Sequence, residues 1–196
     1  MQTGTAIEQI FEQAGALREG HFALKSGRHS GRYLEKFAVL QHPSLAVEIC
    51  RRFAEALSPY SPSVVVGPTT GGVLLAFETA RQLGGEVRGV FAEPVPGGRA
   101  LRRGWELGTG DRVVLVDDIL TTGASLLETA DAVRAAGAEP LAGAVIVDRS
   151  SGPLETAFPI VSLGAIEIDS WPAAECPLCA AGEPVTRPGS SEPAGT

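Results

Sequence analysis

Val113-Val114-Leu115-Val116-Asp117-Asp118-Ile119-Leu120-Thr121-Thr122-Gly123-Ala124-Ser125 is the stretch whose reading decides the fold. Four consecutive apolar residues, three of them β-branched, predict a strand buried on both faces, of the kind found inside a parallel sheet. Two adjacent carboxylates are expected to close that strand. A short turn rich in hydroxyls and glycine follows, and then an amphipathic helix with Leu126, Leu127, Ala130 and Val133 on one stripe. This order of parts builds an anion site. The first N–H groups of a helix lack intrahelical partners and lie at the positive end of its dipole. Gly123 lets a ligand approach the backbone, and Thr121, Thr122 and Ser125 add hydroxyl donors. Two carboxylates beside a bare phosphate would repel it. They suit ribose hydroxyls or a ligand-borne cation, so a sugar phosphate with vicinal hydroxyls satisfies both halves of the stretch.

Working outward, strands alternate with helices. Residues 5–18 predict a helix behind a Thr5 cap, ended by Gly20. The segment from His21 to Phe37 predicts a hairpin-like cap around a Ser26-Gly27-Arg28 turn, and 43–57 predict a helix with Pro43 in its first turn. Ser63 to Gly67 predict a second buried strand, followed by Pro68-Thr69-Thr70-Gly71-Gly72 and a helix through Leu83. Val87 to Phe91, Pro140 to Val147 and Ile160 to Ile168 predict further strands. Glu93 to Gly104, with prolines, glycines and three arginines, reads as a mobile surface loop, and 187–196 as a disordered tail. The alternation implies an α/β fold with a mainly parallel sheet, whose ligands gather at the carboxyl ends of the strands. The loops after Val66, Phe91, Val116 and Val147 should therefore meet in one crevice.

The chain of 196 residues is most economically one domain over 1–186. A hydrophobic fraction of 44% supplies a full core, and a net charge of −7 argues against nucleic-acid coating. Neither a membrane-length apolar run nor a basic-apolar leader is visible, so a cytoplasmic protein without membrane partners is expected. Three cysteines fit reduced thiols and not a disulfide framework. Cys176-Pro177-Leu178-Cys179 lacks a second ligand pair nearby, which favours ordinary thiols, with a zinc site shared across a dimer as the alternative. Neither a P-loop nor a dinucleotide-binding Gly-x-Gly-x-x-Gly after a strand is present.

The run at 113–125 resembles the signature of the type I phosphoribosyltransferases, which bind 5-phosphoribosyl 1-diphosphate (PRPP). The resemblance implies their fold: a mainly parallel central sheet flanked by helices, with a small hood built from about 20–40 and 165–186. It places Asp117 and Asp118 on the ribose hydroxyls and Thr121, Thr122, Gly123, Ala124 and Ser125 around the 5-phosphate. Thr69, Thr70 and Gly71 stand where the family holds pyrophosphate.

Phe22-x-Leu24-Lys25-Ser26-Gly27-Arg28 and Val147-Asp148-Arg149 are similar to segments of the orotate phosphoribosyltransferases. That similarity implies orotate contacts from Arg149, Thr121 and Lys25, since an arginine fork matches a carboxylate. It also implies magnesium carried by PRPP and water rather than by a tight protein cage, and a homodimer whose loop closes over the partner's site. Family members carry lysines in that loop and in the pyrophosphate turn. Here Arg99, Arg102 and Arg103 occupy the loop and Gly71 the turn. The implied activity is phosphoribosyl transfer from PRPP to orotate, giving orotidine 5′-monophosphate. Transfer to a purine or uracil, and PRPP binding by a regulator without turnover, are the alternatives.

Overall fold

The computed structural model describes residues 6–24, 26–150, 152, 154–166 and 168–188. Helices are α1 (Ala6–Gln13), α2 (Lys36–Leu40), α3 (Pro43–Leu57), α4 (Gly71–Leu83), α5 (Ala124–Ala135) and α6 (Pro177–Ala180). Strands are β1 (Leu17–Ala23), β2 (His29–Leu34), β3 (Val64–Pro68), β4 (Arg88–Val95), β5 (Gly98–Ala100), β6 (Val113–Leu120), β7 (Pro140–Asp148) and β8 (Ile160–Ala165). The main sheet has the order β5-β4-β3-β6-β7-β8. It is parallel except for the antiparallel β4–β5 edge, so the expected α/β architecture holds.

Two cores flank the sheet, and alternation along the strands explains why its central runs are apolar throughout. Val65, Val114, Val116 and Ile146 pack on one face with Phe11, Ile49, Phe53 and Leu75 from α1, α3 and α4. Val64, Val66, Val113, Leu115 and Val145 pack on the other with Leu126, Ala130 and Val133 of α5 and with Phe158. Successive residues point to opposite faces, and here both faces are covered.

Several expected boundaries move. The first helix ends at Gln13 because Gly15 adopts φ +60°, and Leu17 already starts β1; Gly20 lies inside that strand. Thr5, the expected cap, lies outside the described residues. Residues 93–104 are not simply a surface loop. β4 continues to Val95 and turns at Gly97, φ +86°, so that Glu93, Pro94 and Val95 pair with Ala100, Arg99 and Gly98. Strand β6 does not close at the carboxylates. It runs through both to Leu120, because β7 supplies backbone partners as far as Asp148.

The hood consists of the β1–β2 hairpin, closed by the Ser26-Gly27-Arg28 turn, and a returning C-terminal segment. His29 and Trp171 exchange two backbone hydrogen bonds of 2.8 Å. The Ala23 amide donates to the Thr186 carbonyl, and the Thr186 amide to the His21 carbonyl. Ser30 Oγ donates to the Asp169 carbonyl at 2.7 Å, and Arg28 donates to Ser170. The tail from 189 onward lies outside the described residues.

The fit between β4 and α4 leaves no room for a side chain at Gly89. A Cβ there would sit 2.9 Å from Phe77 Cα and 3.0 Å from the Ala76 carbonyl oxygen. Because those neighbours are backbone, Gly89→Ala should destabilise the protein by about 1–3 kcal/mol. Urea unfolding measures this, and an unchanged midpoint would show that α4 shifts freely on the sheet.

Candidate active site

A crevice of about 630 Å³ opens at the carboxyl ends of β3, β6 and β7, beneath the hood. Its floor holds Asp117 and Asp118, and its walls include Pro68, Thr69, Thr121, Ser125 and Arg149. The hood side contributes Ala23, Leu24, Tyr33, Lys36 and Pro188.

The two carboxylates are neighbours in sequence but differ in environment. Asp118 shares parity with Val114 and Val116, and its Oδ2 lies 2.7 Å from Lys36 Nζ at the start of α2. Its Oδ1 accepts from the Ile119 amide at 2.8 Å. Asp117 Oδ1 accepts from the Asp118 amide at 2.8 Å. Asp117 is buried. Burial, reinforced by the adjacent Asp118 charge, pushes its carboxyl up to about 7.

Gly71 explains why this chain has no side chain at that point of the turn. A Cβ there would meet Asp118 Oδ2 at 2.5 Å. Gly72 and Gly67 are in similar backbone contact, which lets α4 start directly over the end of β3. The Thr69–Thr70 peptide is cis, and the Thr69 amide donates to the Ala92 carbonyl at 3.0 Å. Thr70 is exposed at the start of α4, where no side chain caps the helix.

The Thr121–Ser125 turn has the expected form. Gly123 adopts φ +77° and precedes α5, which also has no side-chain cap from its first flanking residue. A Cβ on Gly123 would lie 2.4 Å from Leu154 Cδ2, so a larger residue there would also have to displace the Leu154 side chain. Thr122 Oγ1 accepts from the Ala124 amide at 3.4 Å. Thr121, Thr122 and Ala124 are exposed, and Thr121 and Ser125 face the crevice.

Arg149 follows β7, with its amide donating to the Leu120 carbonyl at 2.8 Å. Its half-buried guanidinium forms no ion pair with Asp148, Asp169 or any other described carboxylate, and burial lowers its pKa. A half-buried cation without a counter-ion carries an uncompensated desolvation cost. Lys25 lies outside the described residues.

The three loop arginines separate. Arg99, 12% exposed at its side chain, reaches from β5 to the carbonyls of Thr69 and Ala92 at 3.4 and 3.3 Å and to Glu128 at 3.4 Å. It ties the Thr69–Thr70 turn to the edge hairpin. Arg103 forms a bidentate pair with Glu93, at 2.6 and 3.1 Å. Together with Arg102 it borders a small depression apart from the crevice. Within one chain, neither is brought to the site.

Lys36 was not singled out in the sequence. It stands 82 positions from Asp118, and a lysine following Leu34-Glu35 reads as a solvated charge unless the hairpin is folded over β6.

A family model described as the phosphoribosyl transferase domain matches residues 38–180. Orotate phosphoribosyltransferase of Pelotomaculum thermopropionicum is 42% identical over 188 residues, covering 96% of this chain and 98% of the relative. That of Heliobacterium modesticaldum is 44% identical, covering 94% and 96%. The chain belongs to the orotate phosphoribosyltransferase family. Its activity is phosphoribosyl transfer to orotate, in pyrimidine biosynthesis. Among solved structures, Mycobacterium tuberculosis orotate phosphoribosyltransferase in complex with Fe(III) dicitrate aligns with a TM-score of 0.69 and 25% identity. The alignment covers 82% of this chain and 96% of that one. The same enzyme in complex with PRPP aligns at 0.65 and 26%, covering 81% and 95%.

The raised pKa of Asp117 has a thermodynamic signature. The folded protein retains a proton that the unfolded chain, with an ordinary aspartate near 3.8, has released. Native stability should therefore fall as pH rises from about 4 to about 7 and then level off. Asp117→Asn should remove that fall, so its advantage over the wild type grows across the interval. Denaturant unfolding across pH tests this; parallel curves for the two proteins would mean that Asp117 is ionised in the folded state throughout.

Proposed function

We propose that the crevice performs the transfer as follows. The Thr121–Ser125 turn holds the 5-phosphate of PRPP with hydroxyls and the N–H groups at the start of α5. Asp118, ion-paired with Lys36, accepts from one ribose hydroxyl, while Asp117, protonated below about pH 7, can donate to the other or accept from it. The turn at Thr69, Thr70 and Gly71 receives the pyrophosphate, and Arg149 holds the orotate carboxylate with its fork. The observation that carries this reading is the convergence of a buried acid pair, a helix-start hydroxyl turn and an unpaired arginine on one crevice.

Carbon 1 of the ribose gains positive charge as pyrophosphate leaves. Little covalent help is needed, and catalysis comes from positioning and from neutralising the departing charge. Magnesium is the cation proposed to accompany PRPP. The donor set fits a loosely held ion: Asp118 is engaged by Lys36 and Asp117 favours its proton, which leaves no tight protein cage. When bound, magnesium would supply charge neutralisation on the polyphosphate.

A homodimer is proposed as the working unit. Leu74 and Phe77 on α4 and Val47 on α3 are 49%, 67% and 38% exposed, a sizeable apolar face for a monomer to leave in water. Arg102 and Arg103, remote from their own crevice, are then available to a partner's pyrophosphate. A cytoplasmic location is part of the same reading. Among the described residues no helix is long and apolar enough to cross a membrane.

Arg149→Ala should raise the orotate KM at least about tenfold, equivalent to ~1.4 kcal/mol, with PRPP affinity nearly unchanged. Steady-state kinetics and PRPP calorimetry check this; wild-type orotate kinetics would make Arg149 structural. The cross-subunit role has its own assay. Arg102→Ala/Arg103→Ala and Asp117→Asn/Asp118→Asn proteins, each inactive alone, should regain part of the wild-type turnover after subunit exchange, since a mixed dimer holds one complete site. Heterodimers without activity would confine the loop to its own subunit.

A further inference from the structure

Cys176 and Cys179, partnerless when read along the sequence, meet two histidines of the hood. His21, His29, Cys176 and Cys179 bring one ligand atom each to within 4.8 Å of the others, and they form the one such group among the described residues. His21 Nε2 lies 2.9 Å from His29 Nδ1, 3.4 Å from Cys176 Sγ and 3.7 Å from Cys179 Sγ. Cys179 Sγ lies 3.3 Å from His29 Nδ1. Around a tetrahedral zinc, with bonds of about 2.0–2.1 Å to nitrogen and about 2.3 Å to sulfur, ligand atoms stand roughly 3.3–3.8 Å apart. Three of these four separations already match that range, the two rings need to open by a few tenths of an ångström, and the remaining pairs lie within 4.8 Å.

The proton assignment shows how the cluster would receive a cation. His21 Nδ1 lies 2.8 Å from the Glu183 carbonyl, which can only accept, so Nδ1 carries the proton and Nε2 the lone pair. Without a metal, the His29 ring can donate to that single lone pair, and the two thiols are left with only weak bonds to each other and to the rings. A cation at the centre of the four atoms instead uses one lone pair from each. The Glu183 carbonyl then does what outer partners of metal-bound histidines do, fixing the ring's tautomer and orientation.

We infer that His21, His29, Cys176 and Cys179 form a structural zinc site that fastens the C-terminal segment to the β1–β2 hairpin. Two nitrogens and two sulfurs in a compact tetrahedron select zinc among common divalent ions. All four positions are filled by protein, so the site is closed and carries no catalytic water. On binding, Zn²⁺ replaces the two thiol protons, which leave to solvent, and both sulfurs coordinate as thiolates. The consequence reaches the crevice. His21 adjoins Phe22 and Ala23, the Ala23 amide bonds Thr186, and Ala23, Leu24 and Pro188 line the wall on the hood side. Cys50 is a contrast, since it is buried beside the Leu75 carbonyl and burial pushes its thiol up to about 12.

The test uses the full chain without a histidine tag, produced in zinc-supplemented medium and purified without chelator. Elemental analysis should find close to one zinc per chain. The reduced, demetallated protein titrated with Co²⁺ should develop the intense visible absorption of tetrahedral cobalt with thiolate ligands. Cys179→Ser, at the exposed ligand, should lose the zinc and that spectrum, and the Ala23 and Thr186 amides should exchange about tenfold faster with solvent. Substoichiometric zinc in the wild type, together with no tetrahedral cobalt spectrum, would overturn the assignment. So would a Cys176–Cys179 disulfide in protein kept under reductant. Neither result depends on a variant folding.

Discussion

The Lys36–Asp118 ion pair is the contact on which the site depends. Two carboxylates on consecutive residues of a central strand, both buried, would repel each other and lose hydration. The arrangement is tolerable because the two are treated differently. Lys36, 2.7 Å away, offsets one charge, while Asp117 is held toward its neutral form. The ion pair also joins α2 at the foot of the hood to the strand that carries the acid pair. Placing the hood and charging the floor are thus one physical event.

Several close approaches follow from that constraint. Gly71 must lack a side chain so that α4 can start against Asp118, and Gly67 and Gly72 allow the same helix to meet the end of β3. Arg99 ties the resulting turn to the edge hairpin through the Thr69 carbonyl. Arg149 remains without a described counter-ion at the mouth of the same crevice, as its proposed role requires.

Much of this was legible in the sequence where a single residue or a short period decides the outcome. The apolar runs at 64–66 and 113–116 identify strands covered on both faces, and Gly123 identifies the turn that starts α5. Pro43 marks the start of α3 to the residue. Boundaries set by pairing were not legible. Strand β6 continues through Asp117 and Asp118 because its ladder to β7 uses backbone groups indifferent to side-chain charge. The β4–β5 hairpin is hidden in a segment whose prolines and glycines suggest irregular chain. Contacts between distant residues were hidden as well. Lys36 becomes informative once the hairpin lies over β6, and the Cys176–Cys179 pair once His21 and His29 share a hairpin with register Phe22 to Ser30 and Ala23 to His29.

In the proposed site Lys36 and Asp118 act as one unit in holding PRPP, and a double-mutant cycle measures their coupling directly. PRPP affinity would be determined by calorimetry for the wild type, Lys36→Met, Asp118→Asn and the combined variant, with circular dichroism confirming the fold of each. The two single losses should exceed about 1 kcal/mol and be strongly non-additive, with a coupling energy of about 1–3 kcal/mol, because removing either partner already disables the other. Strict additivity, or single variants that bind PRPP like the wild type, would contradict the account and reduce the ion pair to a structural tie.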